Sequence, residues 1–416
     1  MKKIIFNLIL LFGLIPCMVS AATTPLARIG DKFYENLEEA IKAATENDTI
    51  TLVADVETSN TLKIDKTVNI DLNGNTISGN EKVFHVQGGL LNLTGKGVIK
   101  ETKPNYGAIM LTGSSNPNED KYSGVRVGKD VTLEGWSGIF INHENNKSYG
   151  VYAYLDGKIN AVDDVSGGKG AGVYVNGKIQ DEVSHPVVNI SDGAEIKSTG
   201  NGLYIAGYST FYIGDAYIEG EISGIGIKSG KLIINGATVI CNGEDKTPTE
   251  GNNNGIKASG TTIQIESNTA YAGKIELDIS RGTFKSKNSN VIYEYIGKGN
   301  SSLIYSMSIS GGTFESEANK DVFSLSDSFK NIHSGFISSG KYSSDPTEYL
   351  KNGYTSTKDG NFYNVTKGTM KSVVSNSITN NSSNSFFKSV IIIITIAGLG
   401  IIAYLNRTRI INLFKR

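Results

Sequence analysis

ISRGTF at 279–284, ISGGTF at 309–314 and ISSGKY at 337–342 are three copies of one phrase. Each opens on an isoleucine, places Gly282, Gly312 or Gly340 three positions on, and places Phe284, Phe314 or Tyr342 five positions on. Ile213-GDAYI and Ile234-NGATV follow the same template, with Ala216 and Ala237 as the small residue. Looser copies run through Leu72-NGNTI, Leu93-TGKGV, Val127-GKDVTL and Ile190-SDGAEI. Most of the copies recur at about 21 to 35 residues, the period of a repeat architecture. The longer step from Ile234 to Ile279 predicts a weaker copy between them.

Between these copies lies a second set of short strands: KVFHV, YGAIML, SGIFI, GAGVYV, GNGLYI, SGIGIK, NGIKA, SNVIYEY and KDVFSL. Each is mostly β-branched or aromatic and is bounded by Gly, Ser or Asn, the composition of a strand between turns. Units made only of strands and turns, with no helical crossover, predict a chain that returns on itself once per repeat. The expected fold is therefore all-β, a single-stranded parallel β-helix whose inward Ile, Leu, Val and Phe form ladders along the axis. About ten coils at ~4.8 Å each make a rod roughly 50 Å long. Glycine, 48 of 416 residues, supplies the corners. A string of antiparallel β-sandwiches would need longer strands, two-residue hairpin signals and a composition change at each boundary, none of which is prominent.

Open ends of such a rod expose the last coil, and the sequence offers a cover for each. FYENLEEAIKAATEND places Phe33, Leu37, Ala40, Ile41 and Ala44 at helical spacing, with Asn36 and Glu39 as a capping pair. YSSDPTEYLKNGY offers Asp345 as N-cap, Pro346 at the first helical position and Gly353 as a stop, followed by the strand-like DGNFYNV.

The chain ends carry targeting signals. Lys2 and Lys3, the apolar run Ile4 to Ile15 and the small-residue site Val19-Ser20-Ala21 predict a signal peptide cleaved after Ala21. Pro16 before Cys17 argues against a lipoprotein signal. Val390 to Leu405 is apolar and just long enough to span a bilayer, extended to Phe386 if Lys388 snorkels. Arg407, Arg409, Lys415 and Arg416 follow, so the positive-inside rule places the tail in the cytoplasm and the preceding chain outside, at a cell membrane.

The expected organisation is thus a signal peptide over 1–21, an N-terminal cap over 22–48, a β-helix over 49–344 and a C-terminal cap over 345–365. A disordered tether over 366–389, rich in Ser, Asn and Thr, then leads to a transmembrane helix over 390–405 and a basic tail over 406–416. Fully stretched, the tether reaches about 80 Å. Cys17 leaves with the signal, so Cys241 has no disulfide partner within the exported chain. The net charge of −1, with both signs mixed along the chain, gives no electrostatic footprint for nucleic acid.

The opening Tyr34-ENLEEAI through TITLVADV, the block KTVNIDLNGNTISG and the ISGGTF-type repeats resemble the right-handed parallel β-helix superfamily named after the pectate and pectin lyases, in its bacterial surface-protein branch. The resemblance covers nearly the whole chain between the two terminal segments. It implies a scaffold, and for the enzymes of the superfamily an activity on acidic polysaccharides. Lyases would need acids to hold calcium and a basic residue to take the proton next to the uronate; hydrolases would need clustered aspartates.

Neither set is evident. Asp163-Asp164 is the only adjacent aspartate pair, and neighbouring residues on a strand point to opposite faces, so it reads as a solvated loop pair. His85, His143, His185 and His333 stand in unrelated contexts. Arg28, Arg126 and Arg281 are the exported arginines, and Arg281 reads as a surface turn residue. Acid-rich loops around Glu119 and Asp120, and from Asn242, have no calcium-specific spacing. No catalytic, cofactor or metal residue is therefore assigned.

Tyr149, Tyr152, Tyr154, Tyr174, Tyr204, Tyr208, Tyr212 and Tyr217 cluster in the middle repeats. They form either a stripe suited to sugar rings or part of the core, and Trp136 is equally divided. The expected function is a non-enzymatic, membrane-anchored surface protein whose rod serves adhesion or binds an extracellular carbohydrate or protein. The alternatives are a divergent polysaccharide lyase or glycoside hydrolase, and an inert surface spacer.

Overall fold

The computed structural model describes residues 24–119, 121–180, 182–183, 185–246 and 260–368. Within them strands come in triplets. Leu90–Thr94, Gly97–Glu101 and Ile109–Thr112 form one; Ser123–Val127, Val131–Gly135 and Ser137–Asn142 the next; Val151–Leu155, Lys158–Ala161 and Ala171–Val175 the one after. Each strand pairs in parallel with the strand at the same place in the following triplet. Leu93 meets Val127 and Val127 meets Leu155; Ile99 meets Leu133 and then Ile159; Ile109 meets Ile139 and then Val173. First and second strands join a 23-stranded sheet, and third strands a ten-stranded one.

Parallel partners need a long connection between them, usually a helix. Here the other two strands of the triplet supply it, so an all-β chain makes parallel sheets. Stacking in register sets like residues above like: Ile70, Leu93, Val127, Leu155, Ile190, Ile213, Ile234, Ile279 and Ile309 make one buried row. At about 1.5–3 kcal/mol for each fully buried aliphatic side chain, such rows are the main stabilising term.

The three best copies of the repeat phrase lie in that register. Ile279 pairs with Ile309 and Ile309 bridges to Ile337, while the rings of Phe284, Phe314 and Tyr342 stack at 4.7 and 5.0 Å. The copy at Leu72 is out of phase. Ile70, not Leu72, pairs with Leu93, and Leu72 is buried at the corner, its N–H bonded to Thr94 O. Ile234 and Ile279 are direct partners, so the long step is no missed copy in that row; it falls between the strands that end at Cys241 and begin at Thr261.

A further copy, one residue shorter than the template, sits at Leu155-DGKI, where Ile159 follows the turn. Eight of the nine short strands of the second set fall on the ten-stranded sheet. NGIKA lies outside the described residues, and the strand of that triplet is Thr261–Ser267.

Antiparallel chain closes each end of the parallel rows. Ala27–Ile29 pairs antiparallel with both Lys32–Tyr34 and Thr49–Leu52, and the helix Leu37–Ala43 buries Leu37, Ala40 and Ile41 against them. Asn36 Oδ1 accepts from Glu39 N at 2.8 Å, the expected cap. Phe33 does not join the helix; it is on the strand before it and 57% exposed.

At the other end Asp345 Oδ1 accepts from Thr347 N and Oγ1, but the turn it opens is the 3-10 helix Thr347–Tyr349, with Pro346 in the cap position. An α-helix that the sequence did not announce, Asp327–Ile332, is capped by Ser326 and buries Phe329. Tyr354–Asp359 and Phe362–Lys367 form the closing hairpin, so residues 366 and 367, assigned above to the tether, belong to a strand. The expected signal peptide, the rest of the tether, the transmembrane helix and the basic tail lie outside the described residues. Among the described residues no helix is long and apolar enough to cross a membrane.

Candidate functional site

Alternate side chains of a strand point to opposite faces. Ile139, Ile141, Val173, Val175, Leu203 and Ile205 of the ten-stranded sheet fill the core with no exposure. Phe140, Tyr174 and Tyr204, which sit between them, therefore project from the other face. Parallel register aligns Met110, Phe140, Tyr174 and Tyr204 in one row. The three rings stack at 4.8 Å, tilted by 9° and 17°. Gly226 stands next, and the row of rings stops there.

Although this row is outside the core, its rings are nearly covered: 9%, 7% and 1% exposed. Trp136 lies 5.2 Å from Tyr174, Tyr106 meets Phe140 edge-on, and Tyr271 packs against the cluster. At Gly177 a Cβ would lie 2.6 Å from the Tyr271 ring, so only glycine admits it. Together these groups floor and wall a groove of ≈ 680 Å³ whose other lining residues include Asn105, Asp164, Asn176, Lys178 and Gln180. That volume is in the range of small-ligand sites. Stacked rings occupy one another's faces; the rings outside the row are Tyr106, Trp136 and Tyr271. The indole Nε1 of Trp136 is buried with no hydrogen-bond partner among the described residues.

An ion pair lies at the Gly226 side. Lys228 Nζ is 2.9 Å from Glu266 Oε2, and both side chains are 1% exposed. The ammonium donates to Tyr271 Oη at 3.1 Å and lies over the rings of Tyr204 and Tyr271 at 5.4 and 4.6 Å. Asn268 Nδ2 donates to Glu266 Oε1 at 2.8 Å. A buried charge requires such partners, and this lysine finds them in a carboxylate, a phenol and two ring faces. Burial, with Tyr271 nearby, pushes the Tyr174 hydroxyl up to about 12, and burial drives Tyr204 well above its ordinary value. Both phenols are neutral at physiological pH.

The eight tyrosines do not make a single stripe. Tyr174 and Tyr204 share the row. Tyr152 packs on Tyr122 at 5.8 Å, Tyr208 is buried against His185, Tyr212 is 43% exposed, and Tyr217 donates to Glu219. Tyr149 is buried beside Ser114, and Tyr154 lies half-buried on the strand Val151–Leu155.

The acids and bases considered above are dispersed. Asp163 pairs with Lys169 at 2.7 Å, which with the Thr199 hydroxyl holds its carboxyl below the usual range. Asp164 reaches the groove as a turn residue, its Oδ1 accepting from Ser166 N and Gly168 N. His85 bonds Thr112 Oγ1, His185 bonds Thr210 Oγ1, His143 accepts from Asn146 N and His333 bonds Ile304 O. Burial is the largest cause lowering His85, His143 and His185. Arg28 bonds Gly30 O, Arg126 lies near Asp156, and Arg281 grips Asp215.

Of the two acid-rich loops, Glu119 is held by Lys121 and Ser114, while Asp120 lies outside the described residues. Asn242 donates to Glu219, and Asp245 is held by Lys320 and Ser289. Among the described residues no three His, Cys, Asp or Glu side chains gather as a metal site. Cys241 is buried, and burial pushes its thiol up to about 11.

Phe140, Tyr271, Lys228 and Glu266 escaped the sequence reading. Phe140 had a signal: laying SGIFI, AGVYV, NGLYI and SGIGI over one another puts Phe140, Tyr174, Tyr204 and Gly226 in one column. No family model, curated protein or solved structure matches this chain. The groove offers ring surface, amides, and among its lining residues a single carboxylate and a single surface ammonium.

Proposed function

We propose that the strand triplets are coils of a right-handed parallel β-helix and that this rod, without catalysing a reaction, displays the aromatic groove to bind an uncharged, hydroxyl-rich carbohydrate. The observation that carries the reading is the groove itself, aromatic rings beside Asn105, Asn176 and Gln180. Aromatic surface takes the apolar side of a sugar ring, and side-chain amides pair with its hydroxyls. Asp164 and Lys178 balance in charge, whereas a uronate polymer would call for excess cation. Glycoside hydrolysis usually requires two carboxylates at a fixed separation, and the lining offers one. The chain's terminal signals support export and a membrane anchor, with the rod outside the cell.

A glycan array probed with the full chain tests this. Binding concentrated on neutral oligosaccharides is expected; binding confined to uronate polymers, or to no glycan, would overturn it. Amino-terminal sequencing of the exported form should begin at Ala22, and the full chain should fractionate with membranes.

A further inference from the structure

The last residue of each second strand occupies a tight corner. After Thr58, which opens it, that column reads Gly79, Glu101, Gly135, Ala161, Ser198, Gly220, Cys241, Ser286 and Ser316. Eight of the nine are small. Glu101 is a glutamate, 2% exposed, and no Lys or Arg among the described residues forms an ion pair with it. Its charge is met by three backbone donors instead. Oε1 accepts from Asn105 N and Tyr106 N, and Oε2 from Trp136 N, each at 3.0 Å.

Those donors belong to two successive triplets and to the two aromatic walls of the groove. The segment 102–108 carries Tyr106, and residue 136 carries the indole. Gly135 is part of the device, since a Cβ there would lie 2.8 Å from Glu101 Oε2. A carboxylate accepting several N–H groups forms charge-assisted bonds, stronger than neutral ones and directional.

We infer that Glu101 is a positioning residue for the ligand groove, a clamp that ties the segments carrying Tyr106 and Trp136 to each other and so holds the two aromatic walls. The inference rests on the carbohydrate reading for its purpose and on the three hydrogen bonds for its geometry. Glutamine at 101 can accept on one side only, because its amide nitrogen donates. Alanine at 135 keeps the carboxylate but crowds its Oε2, together with Ser137 O and Ala108 N.

The test uses the full chain, wild type beside Glu101→Gln and Gly135→Ala. Trp136 is the protein's only tryptophan, so intrinsic emission and acrylamide quenching report the groove directly. Both variants should shift the emission, raise the quenching constant about two-fold and weaken glycan binding about ten-fold, a change of about 1.4 kcal/mol. Circular dichroism should stay at the wild-type signal. Wild-type emission and quenching in both variants would overturn the clamp.

A Trp136 shift in both variants together with no glycan binding by the wild type would leave the clamp standing and remove the carbohydrate reading. Native-state hydrogen exchange on the wild type needs no variant to fold. Protected amides at Asn105, Tyr106 and Trp136 are expected, and free exchange at all three would overturn the proposal.

Discussion

Two rows of three stacked aromatic rings run through this protein, one inside the core and one outside it. The inner row is Phe284, Phe314 and Tyr342, at 4.7 and 5.0 Å; the outer row is Phe140, Tyr174 and Tyr204, at 4.8 Å twice. The spacings agree because both report the separation of adjacent strands, about 4.8 Å. Stacking is thus a product of parallel register and says nothing about use. What separates the rows is their surroundings. The inner rings are wholly buried in the main hydrophobic core, where Phe323 packs beside Phe314 and Tyr342, and the Tyr342 hydroxyl donates to Ser339 O. The outer rings are covered by three further aromatics, border a buried ion pair and open on amides.

That contrast can be broken from either side. Phe314→Ala should cost about 3–5 kcal/mol in urea unfolding, the usual penalty for emptying a core aromatic site. Ligand binding per folded molecule should not change. Glu266→Ala removes the counter-charge of the buried Lys228 ammonium and should cost a similar ~3–5 kcal/mol. Replacing both partners, as in Lys228→Met with Glu266→Leu, should restore much of that loss while still altering Trp136 emission through Tyr271. Urea melts of the single and double variants, compared as a cycle, check this.

Tyr174→Leu keeps an apolar side chain but interrupts the outer row. It should cost only about 0.5–1.5 kcal/mol in thermal unfolding, the value of ring pairing beyond area burial. Glycan affinity should nonetheless fall by about ten-fold, the reverse of Phe314→Ala.

The smallest effect belongs to the outer face of the second strands, where charges alternate from triplet to triplet: Lys100 with Glu134, Lys158 with Glu195, Lys285 with Glu315 and Glu317. Lys285 is held above its ordinary range chiefly by Glu317. These groups are one-third or more exposed or nearly so, and Lys285→Ala should cost about 0.2–1 kcal/mol, vanishing in 1 M salt.

The inner row was legible because its residues recur in one phrase whose spacing matches the strand register. Leu72 misled that reading because the corner after Asp71 holds more residues than its counterparts, shifting the phase by two. The outer row was only half legible. Tyr174 and Tyr204 stood in equivalent short strands, but the question of which face they take needed the core partners on either side. Lys228 and Tyr271 were out of reach, 43 residues apart and brought together only by the return of the chain. Glu101 was visible in principle as the acid in a column of small residues. The column appears once the register is known, and the register was the thing to be found.

The groove's use is tested most directly by titrating the full chain with a neutral oligosaccharide while following Trp136 emission, with Tyr174→Leu in parallel. The expected result is a saturable change in the wild type, moved about ten-fold to higher concentration in the variant. Saturable glycan binding that leaves Trp136 emission untouched, or that Tyr174→Leu does not weaken, would contradict the assignment of this groove.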